Sequence, residues 1–199
     1  MKTNISIKNT VIKHPFIIYL VKFFAIFCIA YYGTIAVEGL AMPGNHYSSF
    51  IDNYLDYPSA LRQSLLQGAA FFLKLMGHNT FIPDPYRLQL INGSWVKLVY
   101  ACLGVGVMCF WLAFVMANKG KLVKKITWVL VGLVSIWLIN VLRITLVLLA
   151  NNNHAKMPLG LDNHTFFNIL AYAAVFILMF LYDKRFKKKK IETIEKVLL

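Results

Sequence analysis

The stretch SIWLINVLRITLVLLA, Ser135 to Ala150, decides how this chain is read. With the residues before it, the apolar run extends from about 126 to 150, long enough for a hydrocarbon core that needs roughly 20 helical residues. Inside it sit Asn140 and, three positions later, Arg143. A guanidinium in a membrane span costs at least about 2.5 to 3.5 kcal/mol, so its presence points to function before packing.

The rest of the chain has the same character. Of its 199 residues 59% are hydrophobic, the mean hydropathy is +0.62, and the apolar residues gather into long blocks. Four blocks reach spanning length: about 15 to 37, 100 to 117, 126 to 150 and 166 to 182. The expected fold is all-α, a polytopic integral membrane helix bundle of about four spans. The first block follows Lys2, Lys8 and Lys13, but it is too long for a signal-peptide core and lacks an A-x-A site, so it reads as a retained anchor.

The net charge of +13 is concentrated between the blocks, which fits membrane topology and argues against a nucleic-acid partner. Cations lie in the leader, in the loop 118 to 125 (Lys119, Lys121, Lys124, Lys125) and in the tail DKRFKKKK. The segments 38 to 100 and 151 to 165 are poorer in Lys and Arg and hold Glu38, Asp52, Asp56, Asp84 and Asp162. The positive-inside rule therefore predicts an integral cell (inner) membrane protein with both termini cytoplasmic and those two segments outside.

Between the first two spans, residues 58 to 77 have helical period but carry Arg62, Gln63, Gln67 and Lys74. They are expected to form an amphipathic helix on the outer surface, with a hairpin of two short spans as the alternative. Residues 79 to 99 contain Pro83 and Pro85, an alternating run from Tyr86 to Ile91, and the turn-like NGS, so a loop or short hairpin is expected. The chain divides into one membrane domain, 1 to 182, and a basic cytoplasmic tail, 183 to 199. No phosphate loop, zinc spacing or C-x-x-C pair is present, so neither cofactor nor metal is expected.

The predicted topology brings three reactive groups to one depth. Cys102 falls in the first turn of the second span, at its outer end. Arg143 lies seven residues below Ala150, about 10 Å at 1.5 Å per residue, in a span that ends outside. His164 lies in the outer loop just before the fourth span. Acyl transfer by a thiol needs a thiolate, which a nearby cation favours, a group that moves protons, and a donor for the forming oxyanion. Cys102, His164 and Arg143 supply those roles, and Asn140, one turn before Arg143, would orient the guanidinium. Each also has a plainer reading: a small hydrophobe for Cys102, a solvated loop residue for His164, a helix-packing amide for Asn140. Cys28 and Cys109 are read in the plain way.

Three stretches carry a family resemblance: YACLGVGVMCF around Cys102, INVLRITLVLLAN around Arg143, and GLDNHTFFNILAY around His164. In their order, spacing and intervening basic loop they resemble the catalytic half of the exosortase/archaeosortase family, over about residues 86 to 182. The chain would be a short form, with Leu103 and then Gly104 after the cysteine and Asn168 where a glycine often follows the histidine. The resemblance implies a membrane cysteine transpeptidase with Cys102, Arg143 and His164 as its catalytic set. Its partners would be exported proteins ending in a short motif, a transmembrane helix and a basic cluster, cleaved at the outer face and passed to an acceptor, often in connection with exopolysaccharide production. Two other classes remain open at this point: a non-enzymatic accessory subunit of an exopolysaccharide or secretion assembly, with Arg143 paired to an acid on a partner helix, and a transporter or channel with Arg143 as an anion site.

Overall fold

In the computed structural model the described residues are 15–42, 47–153 and 163–198. In chain order they form α1 (Pro15–Ala41), α2 (Ser49–Tyr54), α3 (Tyr57–Leu75), β1 (Thr80–Phe81), β2 (Arg87–Leu90), β3 (Trp95–Lys97), a 3-10 turn (Tyr100–Cys102), α4 (Val105–Ala117), α5 (Leu122–Asn152) and α6 (Asn163–Leu198). The apolar run around Arg143 is one unbroken helix, α5, and it is the centre of the bundle. In its most apolar window 44% of residues are buried, against 11% for α6 and none for α1. Large apolar side chains such as Phe24 and Ile29 on α1, or Phe176 and Phe180 on α6, are exposed, as they must be on faces that meet lipid.

Among the described residues three helices are long and apolar enough to cross a membrane: Phe16–Ala41, Leu122–Asn152 and Thr165–Tyr182. The expected second span, residues 100 to 117, is shorter than its apolar block, because its helix holds only 13 residues, Val105–Ala117. Gly104 causes the difference. Its φ of +75° breaks helical geometry, so the preceding residues close a separate 3-10 turn.

The helices meet through aromatic rings and small residues, which suits packing where water cannot drive association. Phe23 and Phe27 of α1 lie edge-on to Phe110 of α4, at centroid distances of 5.1 and 6.4 Å. Trp111 of α4 occupies the space that a side chain at Gly132 of α5 would fill, and its Nε1 donates to the Trp128 carbonyl at 3.2 Å. Tyr182 of α6 closes this cluster against Trp111, Phe114 and Trp128.

Helix α3 is amphipathic, as its period indicates, and its apolar face is covered by α5. Leu65, Leu66, Ala69 and Leu73 pack with Val141, Ile144 and Leu148, while Trp137 Nε1 donates to Ser64 Oγ at 3.1 Å. The buried face also contains Arg62, whose Nη2 lies 2.7 Å from Glu38 Oε1. Glu38 is therefore part of the last turns of α1, and not of the loop to which the sequence reading assigned it.

Residues 80–97 form an antiparallel sheet in the order β1-β2-β3, with Thr80 opposite Leu90 and Arg87 opposite Lys97. Its alternation is the expected one, since Leu88 and Leu90 are buried while Arg87 is exposed. Asn92, at φ 57°, makes the turn, as its side chain tolerates the left-handed region. Asn152, at the end of α5, accepts from Ser94 N–H at 3.2 Å and pins the sheet over that end of the bundle.

Candidate functional site

Cys102 ends the 3-10 turn. Its N–H donates to the Val99 carbonyl at 2.8 Å, and Leu103 N–H to the Tyr100 carbonyl at 3.0 Å, so the turn satisfies itself before α4 begins. Gly104 then caps α4 in a left-handed conformation that a side chain would strain. A Cβ at Gly104 would also come within 3.2 Å of Asn140 Nδ2. The absent side chain is what allows α5 to bring an amide up to the turn.

That amide makes two bonds. Asn140 Nδ2 donates to the Cys102 carbonyl at 3.1 Å, and Asn140 Oδ1 accepts from Arg143 Nη1 at 3.1 Å. Asn140 is 5% exposed, so both bonds form in surroundings where an unsatisfied amide would be costly. Positions 140 and 143 share a helix face, which lets one side chain reach the other and the neighbouring turn together. The result is a continuous link from the backbone of Cys102 to a half-buried guanidinium.

Cys102 and Cys109 are equally buried, both 7% exposed, and Cys28 is exposed on α1. The Cys102 carbonyl is joined to Arg143 through Asn140, and Cys109 lies within α4 in the same hydrophobic cluster. His164 was read as a loop residue, and the backbone places it in the first turn of α6 instead. Its side chain lies outside the described residues. Position 164 is one turn before Asn168, on the same face of α6.

A small cavity of about 40 Å³ lies where α4, α5 and α6 converge. Its polar wall is made by Asn140, Arg143 and Asn168, and its apolar wall includes Gly104, Ile136, Tyr172 and Val175. The volume is enough for a water-sized group or the oxygen of an oxyanion beside the guanidinium. In the sequence Gly104 and Asn168 are marked only as positions of the family pattern, and Tyr172 is not marked at all. The signal for Gly104 was its position, a glycine immediately before a helix and two residues after the cysteine.

An apolar groove of about 480 Å³ adjoins this cavity and shares Val107, Tyr172 and Val175 with it. Phe27 and Tyr31 of α1 form one wall, Phe176 and Met179 of α6 the other, and Gly106 and Phe110 of α4 lie between them. Among the described residues no group of His, Cys, Asp or Glu is placed to hold a metal ion.

The family model for transmembrane exosortases matches residues 19–181, an interval that contains Cys102, Asn140, Arg143 and His164. No curated protein and no solved structure matches the chain.

Proposed function

The chain belongs to the transmembrane exosortase family, and from that premise we propose that it is a membrane cysteine transpeptidase acting on the C-terminal sorting signals of exported proteins. The observation that carries the reading is the Asn140 amide, bonded at once to the Cys102 turn and to Arg143 beside a cavity of oxyanion size.

In this reaction the Cys102 thiolate attacks the scissile carbonyl carbon, and the carbonyl electron pair moves to oxygen. Arg143 donates hydrogen bonds to that oxyanion and keeps its own charge throughout. When the intermediate collapses the C–N bond breaks, His164 gives a proton to the departing amine, and a thioester remains on Cys102. An acceptor nucleophile then attacks the thioester, His164 takes its proton, and the thiolate is restored. Asn140 is a positioning residue that holds Arg143 relative to the turn.

The apolar groove supports a substrate that stays in the membrane. A transmembrane helix lying between α1 and α6 would reach the cavity through Val107, Tyr172 and Val175 and present the bond next to its end. The charge pattern supports cleavage at the outer face with both termini cytoplasmic.

The direct test is a covalent one. The purified chain is incubated with an exported protein ending in a short motif, an apolar span and a basic cluster, and then digested for mass spectrometry. The expected product is a hydroxylamine-sensitive acyl adduct on the peptide containing Cys102. An adduct on Cys109, or release of product without any thioester, would overturn the mechanism.

A further inference from the structure

A second cavity, of about 690 Å³, opens where the end of α1 meets α2, the start of α3 and the loop before β2. Its volume falls within the range of built ligand sites, about 300 to 1,000 Å³. Among the described residues it shares none with the cavity at Arg143. From its chemistry we infer that it binds a short, positively charged peptide segment.

Charge is the first argument. Among the described residues, Glu38, Asp52 and Asp56 line this cavity against a single guanidinium, Arg62, in a chain whose net charge is +13. A local excess of carboxylate in so basic a protein selects cations by sign.

The second argument is independent of sign and concerns unused valences. Arg62 is 2% exposed; its Nη2 holds Glu38 Oε1 at 2.7 Å and its Nη1 donates to Ser59 Oγ at 3.2 Å. The remaining atoms of that pair, Glu38 Oε2 and Arg62 Nε, are buried and have no hydrogen-bond partner among the described residues. Buried polar atoms are nearly always satisfied, so an orphan acceptor beside an orphan donor calls for a complementary group. A peptide unit is such a group, with an N–H for Glu38 Oε2 and a carbonyl for Arg62 Nε.

The two outer carboxylates are already positioned. Asp52 Oδ2 accepts from Tyr47 O–H at 2.7 Å, and Asp56 Oδ1 accepts from Ser59 N–H at 3.1 Å. Each is thereby oriented at the cavity wall, where a lysine or arginine side chain of the ligand would meet its charge. Recognition is thus divided, with the main chain at Glu38 and Arg62 and the positive side chain at Asp52 and Asp56.

The test uses the full chain in lipid nanodiscs and two acetylated, amidated tripeptides, alanyl-lysyl-alanine and alanyl-glutamyl-alanine, followed by titration calorimetry or saturation-transfer NMR. The lysyl peptide is expected to bind about tenfold more tightly than the glutamyl one, and less tightly as salt is added. The double variant Asp52→Asn, Asp56→Asn should lower lysyl affinity by about fivefold, and its fold should be kept because asparagine caps a helix as well as aspartate does. Equal binding of the two peptides, binding of neither, or an unaltered double variant would overturn the inference. Its failure would leave the chemistry proposed at Cys102 untouched, since the two sites have no residue in common.

Discussion

Cys102→Ala is expected to abolish processing of a co-expressed exported protein, while Cys109→Ala leaves most of it intact. The pair is informative because burial cannot separate the two thiols: both are 7% exposed and both belong to the same core cluster. A purely structural role would give similar losses, since each change removes one sulfur from a packed site. They differ in their surroundings. The carbonyl of Cys102 is tied through Asn140 to Arg143, whereas Cys109 lies seven residues further on, within α4. Loss of an essential nucleophile lowers turnover by roughly 10⁴-fold or more. The measurement is the fraction of substrate cleaved, read on immunoblots alongside the amount of folded enzyme. Equal losses from the two variants would remove Cys102 from its role.

Arg143→Ala should have the second largest effect, a fall in kcat of about 10² to 10³-fold with KM little changed, because its interaction with the substrate arises as charge develops on oxygen. Arg143→Lys separates charge from geometry. Lysine keeps the positive charge but not the planar fork, so its activity should lie between those of wild type and Arg143→Ala. Asn140→Leu keeps the guanidinium and removes its tether; a fall of about tenfold in kcat is expected, with the melting temperature followed to account for the lost bond to the Cys102 carbonyl. Initial rates across a range of substrate concentrations decide the matter. A higher KM with unchanged kcat in Arg143→Ala would mean that the arginine binds the ground state, and the oxyanion role would be lost.

What could be read from the sequence followed the length scale of each signal. Long apolar blocks have one physical explanation, and the helices at Pro15–Ala41, Leu122–Asn152 and Asn163–Leu198 cover those blocks, the last running on from 182 to Leu198 through the basic segment that hydropathy sets apart as a tail. Alternation and the NGS turn announced β2 and β3, but β1 is only two residues long and acquires its identity by pairing with β2. The start of α4 was misjudged because hydropathy is indifferent to φ; Ala101, Cys102 and Leu103 are as apolar as the helix after Gly104, whose conformation divides them from it. Glu38 and Arg62 were read as markers of polar segments, since sequence alone carries no sign that two charges 24 positions apart will meet inside the protein. At the candidate site, Arg143 stood out through the cost of its charge. Asn168 and Tyr172 could not, because an amide and an aromatic ring at the head of an apolar helix are ordinary until α5 is beside them.

The brevity of α4 has a consequence for the membrane itself. Thirteen residues rise about 20 Å, roughly 10 Å less than the hydrocarbon thickness of a typical bilayer. If α4 crosses the membrane, lipid beside so short a helix would accommodate it by thinning, and the bilayer would be drawn down toward Gly104 and the turn that holds Cys102. Under the mechanism proposed above, water and headgroups would then come to the thiol without any channel through the protein, and a bond at the end of a substrate's helix would meet Cys102 in a dimple of its own solvent. Activity in vesicles should accordingly be highest in short-chain lipids and decline as acyl chains lengthen, with substrate concentration held fixed in the bilayer. A rate indifferent to bilayer thickness would show that the turn reaches water by another route.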